Sequence, residues 1–268
     1  MQRLKQRYRY SVILLKELVR TDFKLRYQGS VLGYAWSLLK PMLLFVILYV
    51  VFVKFLKVGD GVPHFPVYLL LGIVMWNFFN EMTMQSTTAI VGRGDLIRKI
   101  RIPRWTIIVS SSLAALINLG LNLVVVAIFM AVNRVGLLDT LPLILLALVE
   151  VYLFALGISL VLSALYVKFR DVSYIWEVIL QAGFYFTPIL YPLSTITNVT
   201  LQKLIMINPI AQAIQGARHA AITHTASTTA SVFGGGYYQF IPLAIIAMVL
   251  VGGLLYFKSQ ARYFAENI

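Results

Sequence analysis

The 268 residues hold 60% hydrophobic and only 12% charged side chains, with a mean hydropathy of +0.83 and a formal net charge of +13. A soluble domain carries roughly twice that charged fraction, so a water-soluble enzyme or binding module is excluded and an all-α integral membrane protein is expected. The pI near 10.0 points to no nucleic acid, because the cations sit beside apolar spans, where lipid headgroups and topology account for them.

Residues 1–37 carry eight cations, among them Lys16, Arg20, Lys24 and Arg26, with Tyr27 close by. Val12, Leu15, Val19 and Phe23 recur at helical spacing while Lys16, Arg20 and Lys24 repeat every four. That pattern predicts an interfacial helix on the cytoplasmic membrane surface, apolar face down and cations among the headgroups. A basic tail suffices to explain residues 1–9. The first apolar run starts near Leu38, too far in for a cleavable signal peptide, and no small-residue cleavage site follows it.

Six apolar runs follow, at about 38–56, 66–91, 107–132, 141–167, 172–190 and 238–257, each near the ~20 residues that cross a bilayer. An even number puts both termini on one side. With that side cytoplasmic, eighteen of the 23 Lys and Arg fall inside the cell, which satisfies the positive-inside rule. In the first run Phe45, Tyr49 and Phe52 form an aromatic stripe, for which packing against neighbours or lipid is the plain reading. The second turns polar after Phe79, through Asn80, Glu81, Gln85, Ser86, Thr87 and Thr88. That half is expected to face a partner helix or an aqueous cavity.

The segment 92–105, GRGDLIRKIRIPRW, is the most basic short loop. It predicts a short amphipathic helix over Leu96–Ile102, ended by Pro103, on which a cytoplasmic protein can push. Leu96, Ile97, Arg98, Lys99, Ile100, Arg101, Pro103 and Arg104 are its candidate coupling residues. A charged loop merely retained in the cytoplasm is the alternative.

Asn118 and Asn122 share a face of the third run and suit helix–helix contact. Glu150 lies inside the fourth run, but a proton relay would need partnered carboxylates at one depth, and Glu81, Glu150 and Glu177 lie at different depths. Asp171 is placed to cap the fifth helix. That run ends in the aromatic, Pro-broken stretch 184–192, with Phe184, Tyr185, Phe186 and Tyr191 at the outer interface.

The 46 residues from 191 to 236 are too many for a simple turn. Asn208-Pro209 opens a helix to Ile222 with Gln212, Gln215 and His219 on one polar face. With Arg218, that face predicts a cap over the outer mouth; a re-entrant half-span at 205–222 is the other topology. Thr223–Gly236 reads as loop. The Asn198-Val199-Thr200 sequon is taken as chance.

The sequence has no phosphate-cradling Gly-rich loop followed by Lys-Ser/Thr, no metal-ligand cluster, no cysteine and no Ser/His/Asp arrangement. No catalytic residue, metal or resident cofactor is expected, and the energy source is expected on another chain.

Arg20–Tyr27 (RTDFKLRY), Ser30-Val31-Leu32-Gly33, Trp36 and Pro41 resemble the opening segment of the polysaccharide-export permeases of the type-2 ABC transporter family. Arg98-Lys99 with Ile102-Pro103 resembles their coupling loop. Phe169-Arg170-Asp171, the 184–191 run, Asn208-Pro209 and the Phe264-Ala265-Glu266 tail occur in the family's order, so the resemblance covers nearly the whole chain. It implies a homodimer of six-span subunits in the bacterial inner membrane, exporting lipid-linked polysaccharide of the O-antigen, teichoic-acid or capsule type. ATP and Mg would be bound by a partner ATPase that grips the interfacial segment 1–37 and the 92–105 loop. Residues 191–225 would form gate helices. Phe45, Tyr49, Phe52, Phe184, Tyr185, Phe186 and Tyr191 would line the channel as sugar-stacking surfaces. A type-2 permease for small lipids or drugs, a secondary transporter and a membrane-embedded transferase are the alternatives; internal repeats, paired intramembrane charges or catalytic groups at the interface would mark the last two.

Overall fold

The computed structural model describes residues 13, 15–21, 30, 32–33, 35–59, 61–99, 103–136 and 140–264, and among them every regular element is helical. Helix α1 covers Ala35–Leu48 and runs on as a π-helix over Tyr49–Phe55. Then come α2 (Phe65–Gly92), α3 (Gly94–Lys99), α4 (Trp105–Val132), α5 (Ile144–Lys168), α6 (Val172–Phe186), α7 (Val199–Ile207), α8 (Pro209–Ala221), α9 (Thr229–Phe233) and α10 (Ile241–Gln260). Among the described residues, five helices are long and apolar enough to cross a membrane: Ala35–Phe55, Phe65–Gly92, Trp105–Val132, Ile144–Lys168 and Tyr237–Tyr263.

These five overlay the runs expected at 38–56, 66–91, 107–132, 141–167 and 238–257. The run expected at 172–190 differs. Its helix covers only Val172–Phe186, 15 residues, which rise about 22 Å against ~30 Å of hydrocarbon. Pro188 is the reason. It pushes Thr187 to an extended conformation (φ −81°, ψ 136°) and cannot continue the hydrogen-bond ladder. Asp171 stands at the N-cap position, yet its side chain makes no capping bond; its backbone carbonyl accepts from the amides of Tyr174 and Ile175 instead.

Helix α2 is the hub. It is the least apolar of the five spans and also the most enclosed, packed on α4 and α5, while α5 also packs on α8 and α10. Its polar half suits that enclosure because Glu81 and Gln85 are costly against lipid, whereas the threonine hydroxyls are served within the helix itself. Thr83 Oγ1 donates to Phe79 O (2.9 Å), Thr87 Oγ1 donates to Thr83 O (2.7 Å), and Trp176 Nε1 reaches across from α6 to Thr83 Oγ1 (3.0 Å). Phe79 stacks on Phe154 of α5 at 5.8 Å.

Two apolar clusters result. The larger gathers α2 with α1, α4, α5, α8 and the end of α6. The smaller joins Ile90, Ile107, Ile108, Val167, Phe257 and Phe264 where α2, α4, α5 and α10 meet near the 92–105 loop. The α5–α10 crossing is tight because both helices present glycine there. A Cβ on Gly157 would sit 2.8 Å from the Leu250 amide nitrogen, and one on Gly253 would strike the Gly157 carbonyl.

Of the N-terminal segment, residues 15–21 are helical, with Leu18 buried and Lys16 and Arg20 exposed. Leu15 and Val19 border an apolar groove with Leu113, Leu116 and Ile117 of α4. The apolar face thus has a protein neighbour as well as any lipid. Lys24, Arg26 and Tyr27 lie outside the described residues.

Candidate functional site

The basic loop is built around α3. The helix opens at Gly94 with Asp95 in its first turn, where a carboxylate opposes the positive helix end. It therefore starts two residues before the expected Leu96. Ile97 is half-buried against the smaller apolar cluster, and Leu96 is also half-buried. Arg93 Nη1 donates to Ile107 O at 3.3 Å, tying the loop back to α4. Arg98 is exposed, Pro103 and Arg104 are half-buried, and Lys99 is the last helical residue. Ile100 and Arg101 lie outside the described residues. The result is a one-and-a-half-turn helix with its apolar side anchored in the bundle and Arg98 facing out.

The aromatic candidates separate into two groups. Phe45 is buried, edge-on to Phe129 of α4 at 5.4 Å and 5.8 Å from Tyr49. Tyr49 and Phe52 are half-buried against the larger cluster. On α6, Phe184 packs edge-on to Trp76 at 6.1 Å, and Gly183 is what lets that indole approach. Tyr185 and Phe186 are 67% and 75% exposed, so the open aromatic surface sits at the end of α6. Tyr191 folds back there, its Oη donating to the carbonyls of Tyr185 (3.4 Å) and Phe186 (3.5 Å). Burial raises its pKa above the usual tyrosine value.

Helix α8 begins where the sequence placed it. Asn208 Oδ1 accepts from the Ile210 amide at 3.0 Å, and Pro209 fills the first helical position. Asn208→Ala is expected to cost about 1 kcal/mol, read as a Tm lower by about 2–4 °C in detergent. The Asn198 sequon has a similar local role, since its Oδ1 caps α7 through the Thr200 and Leu201 amides.

The polar face of α8, expected at an aqueous mouth, is divided: Gln215 lies inside the bundle, while Gln212 and His219 are half-buried. Gln212 lies beside Glu150 of α5. Gln215 Oε1 accepts from Tyr68 Oη at 3.0 Å. His219 Nδ1 is 3.1 Å from Ala226 O, and its ring meets His224 edge-on at 5.1 Å. Arg218 is fully buried. Its Nε donates to Tyr68 O (3.0 Å), Nη1 to Pro188 O and Nη2 to Ile189 O (2.9 Å), and its guanidinium stacks on the Tyr68 ring, 3.6 Å from the centroid.

This arrangement answers the Pro188 break. Buried carbonyls past a helix end must find donors within the protein, and a planar guanidinium supplies several in a fixed fork. Gly72 completes the cage, because a Cβ there would collide with Arg218 Nη2. Sequence reasoning missed Tyr68, Gly72 and the 188–189 carbonyls. The available signal was the coincidence of a Pro-broken span with an arginine in an otherwise apolar helix.

The sequence model of the family described as "ABC-2 type transporter" matches residues 13–222. The chain is 28% identical to the "O-antigen export system permease protein RfbA" of Myxococcus xanthus, over 99% of this chain and 98% of that one. A protein of the same description from Klebsiella pneumoniae is 27% identical, with 98% of each covered. The "Polysialic acid transport protein KpsM" of Escherichia coli is 23% identical over 91% of this chain and 92% of its own.

Proposed function

We propose a function from one premise, that this chain belongs to the ABC-2 type transporter family. It is the transmembrane subunit of an exporter that moves lipid-linked polysaccharide from the cytoplasm across the plasma membrane. The observation that carries this reading is end-to-end similarity to permeases named for O-antigen export, with a polysialic acid transport protein as a more distant relative. The sequence contributes spans but no nucleotide-binding motif, which fits a subunit driven by a separate ATPase carrying ATP and Mg. Two copies would form the channel, in the inner membrane of a bacterium, with both termini cytoplasmic.

In this reading α3 and the N-terminal segment receive the ATPase. The exposed aromatics at the end of α6 offer faces on which sugar rings slide without a fixed hydrogen-bond register. Helices α7 and α8 stand at the outer end as the gate, with Asn208, Pro209, Gln212, Gln215 and His219 holding its position.

The test is reconstitution in proteoliposomes with the cognate ATPase. The chain alone is expected to hydrolyse no ATP, and the complex to export saccharide-bearing lipid with coupled hydrolysis. Charge reversal at Arg98, Lys99 and Arg101 together is expected to abolish coupled export, at least tenfold, while basal hydrolysis persists. Normal export by the triple variant would remove the coupling role from α3, and export by the chain without ATPase would overturn the assignment.

A further inference from the structure

Helices α1, α2 and α4 border a half-open cleft of about 650 Å³ that none of the aromatic channel candidates lines. Its wall carries Asn77, Asn80 and Glu81 on α2 and Asn118 on α4, with Lys40 and the exposed Trp36 from the first turns of α1. Positions 77, 80 and 81 share one face of α2. The side chains of Asn77 and Asn80 are half-buried and make no hydrogen bond among the described residues. Asn118 is 3% exposed. Its Nδ2 donates to Glu81 Oε1, but its Oδ1 has no partner. Glu81 Oε1 is held in place by a second donor, Gln85 Nε2, at 2.8 Å.

Asn77 and Asn80, half-buried on the cleft wall, and the buried Asn118 Oδ1 leave hydrogen-bonding capacity that the described protein groups do not use. A ligand that both donates and accepts would satisfy them. Lys40 and Glu81 carry opposite charges, so the wall offers an anion no net attraction, and a phosphate, which only accepts, would meet Glu81 unfavourably. Hydroxyl groups donate and accept, and an indole gives a sugar ring an apolar face. We infer that this cleft binds one or two uncharged sugar residues of the lipid-linked glycan, in the half of the membrane where α1 begins. The inference rests on the export function proposed above and adds to it a subsite apart from the α6 aromatics.

The experiment uses the complex with its ATPase in nanodiscs and two probes, an undecaprenyl-pyrophosphate-linked disaccharide and undecaprenyl pyrophosphate without sugar. The Asn77→Leu/Asn80→Leu double variant is expected to bind the disaccharide lipid about tenfold or more weakly, through the loss of at least two hydrogen bonds, and the bare lipid with unchanged affinity. The chain has no native cysteine, so Asn80→Cys gives a single label site. The disaccharide lipid, and not the bare lipid, is expected to slow its reaction with a water-soluble maleimide. This second measurement decides the matter should the double variant fail to fold. Equal weakening for both lipids would mean that the cleft reads phosphate and would overturn the inference. Unchanged binding of both lipids, or no protection, in a complex that still exports saccharide would overturn the inference alone. A wild-type complex that neither prefers nor exports the saccharide-bearing lipid would overturn the export function with it.

Discussion

Arg218→Ala is expected to destabilise the chain by about 3–5 kcal/mol, because three backbone carbonyls lose their side-chain donor at once. Nε, Nη1 and Nη2 each serve a different backbone carbonyl, and two of those acceptors lie in the Pro-broken segment after α6. Each orphaned acceptor costs about 1–3 kcal/mol, and the vacated space beside Tyr68 adds to that. Against a total stability of about 5–15 kcal/mol, such a loss lowers the Tm in detergent by roughly 10 °C, taking 2–4 °C per kcal/mol. Arg218→Met separates volume from hydrogen bonding. It refills the space but donates nothing, so it should recover little. Arg218→Lys should fall between, because an ammonium donates but cannot bridge three carbonyls and lie flat on a ring at once. Thermal unfolding followed by size-exclusion fluorescence ranks the variants. A methionine variant as stable as wild type would show that the cage is filled space and not a hydrogen-bonded clamp.

Gly157→Leu should have the next largest effect. The atoms its Cβ would meet are backbone, Leu250 N at 2.8 Å and Leu250 Cα at 2.9 Å, so no rotamer change relieves the clash. Helices α5 and α10 would have to part, and contact between small residues is what draws membrane helices together. A loss of about 3 kcal/mol or more is expected, above the usual range for overpacking because backbone must move. Gly120 on α4 supplies the control. A Cβ there meets nothing within 4 Å, so Gly120→Ala should be neutral or stabilising by a few tenths of a kcal/mol. If both substitutions gave the same Tm, the α5–α10 crossing would not depend on close approach.

Long runs of one character were the readable part of the sequence. The five spans and the start of α8 follow from apolar length, Asn208 and Pro209, because bilayer thickness and capping are local rules. The polar half of α2 was legible as a protein-facing surface, but not which residues would be satisfied. Thr83 found a partner in Trp176, 93 positions away, while the side chains of Asn77 and Asn80 have none among the described residues. The partners of the α8 polar face were not legible, for a related reason. A polar face normally signals water, yet here it meets polar groups of α2 and α5 and the backbone freed by Pro188, and no local pattern reveals such pairings. Of the site candidates, α3 showed its position through charge, whereas the burial of Phe45 depends on Phe129, far along the chain.

The carbonyls of Pro188 and Ile189 bear on how the chain is made. On a ribosome, residue 218 emerges well after residue 189, and until it arrives those carbonyls lack their side-chain donor. The turn that follows α6 is therefore completed only after α8 has been synthesised and docked, so this corner of the fold closes late.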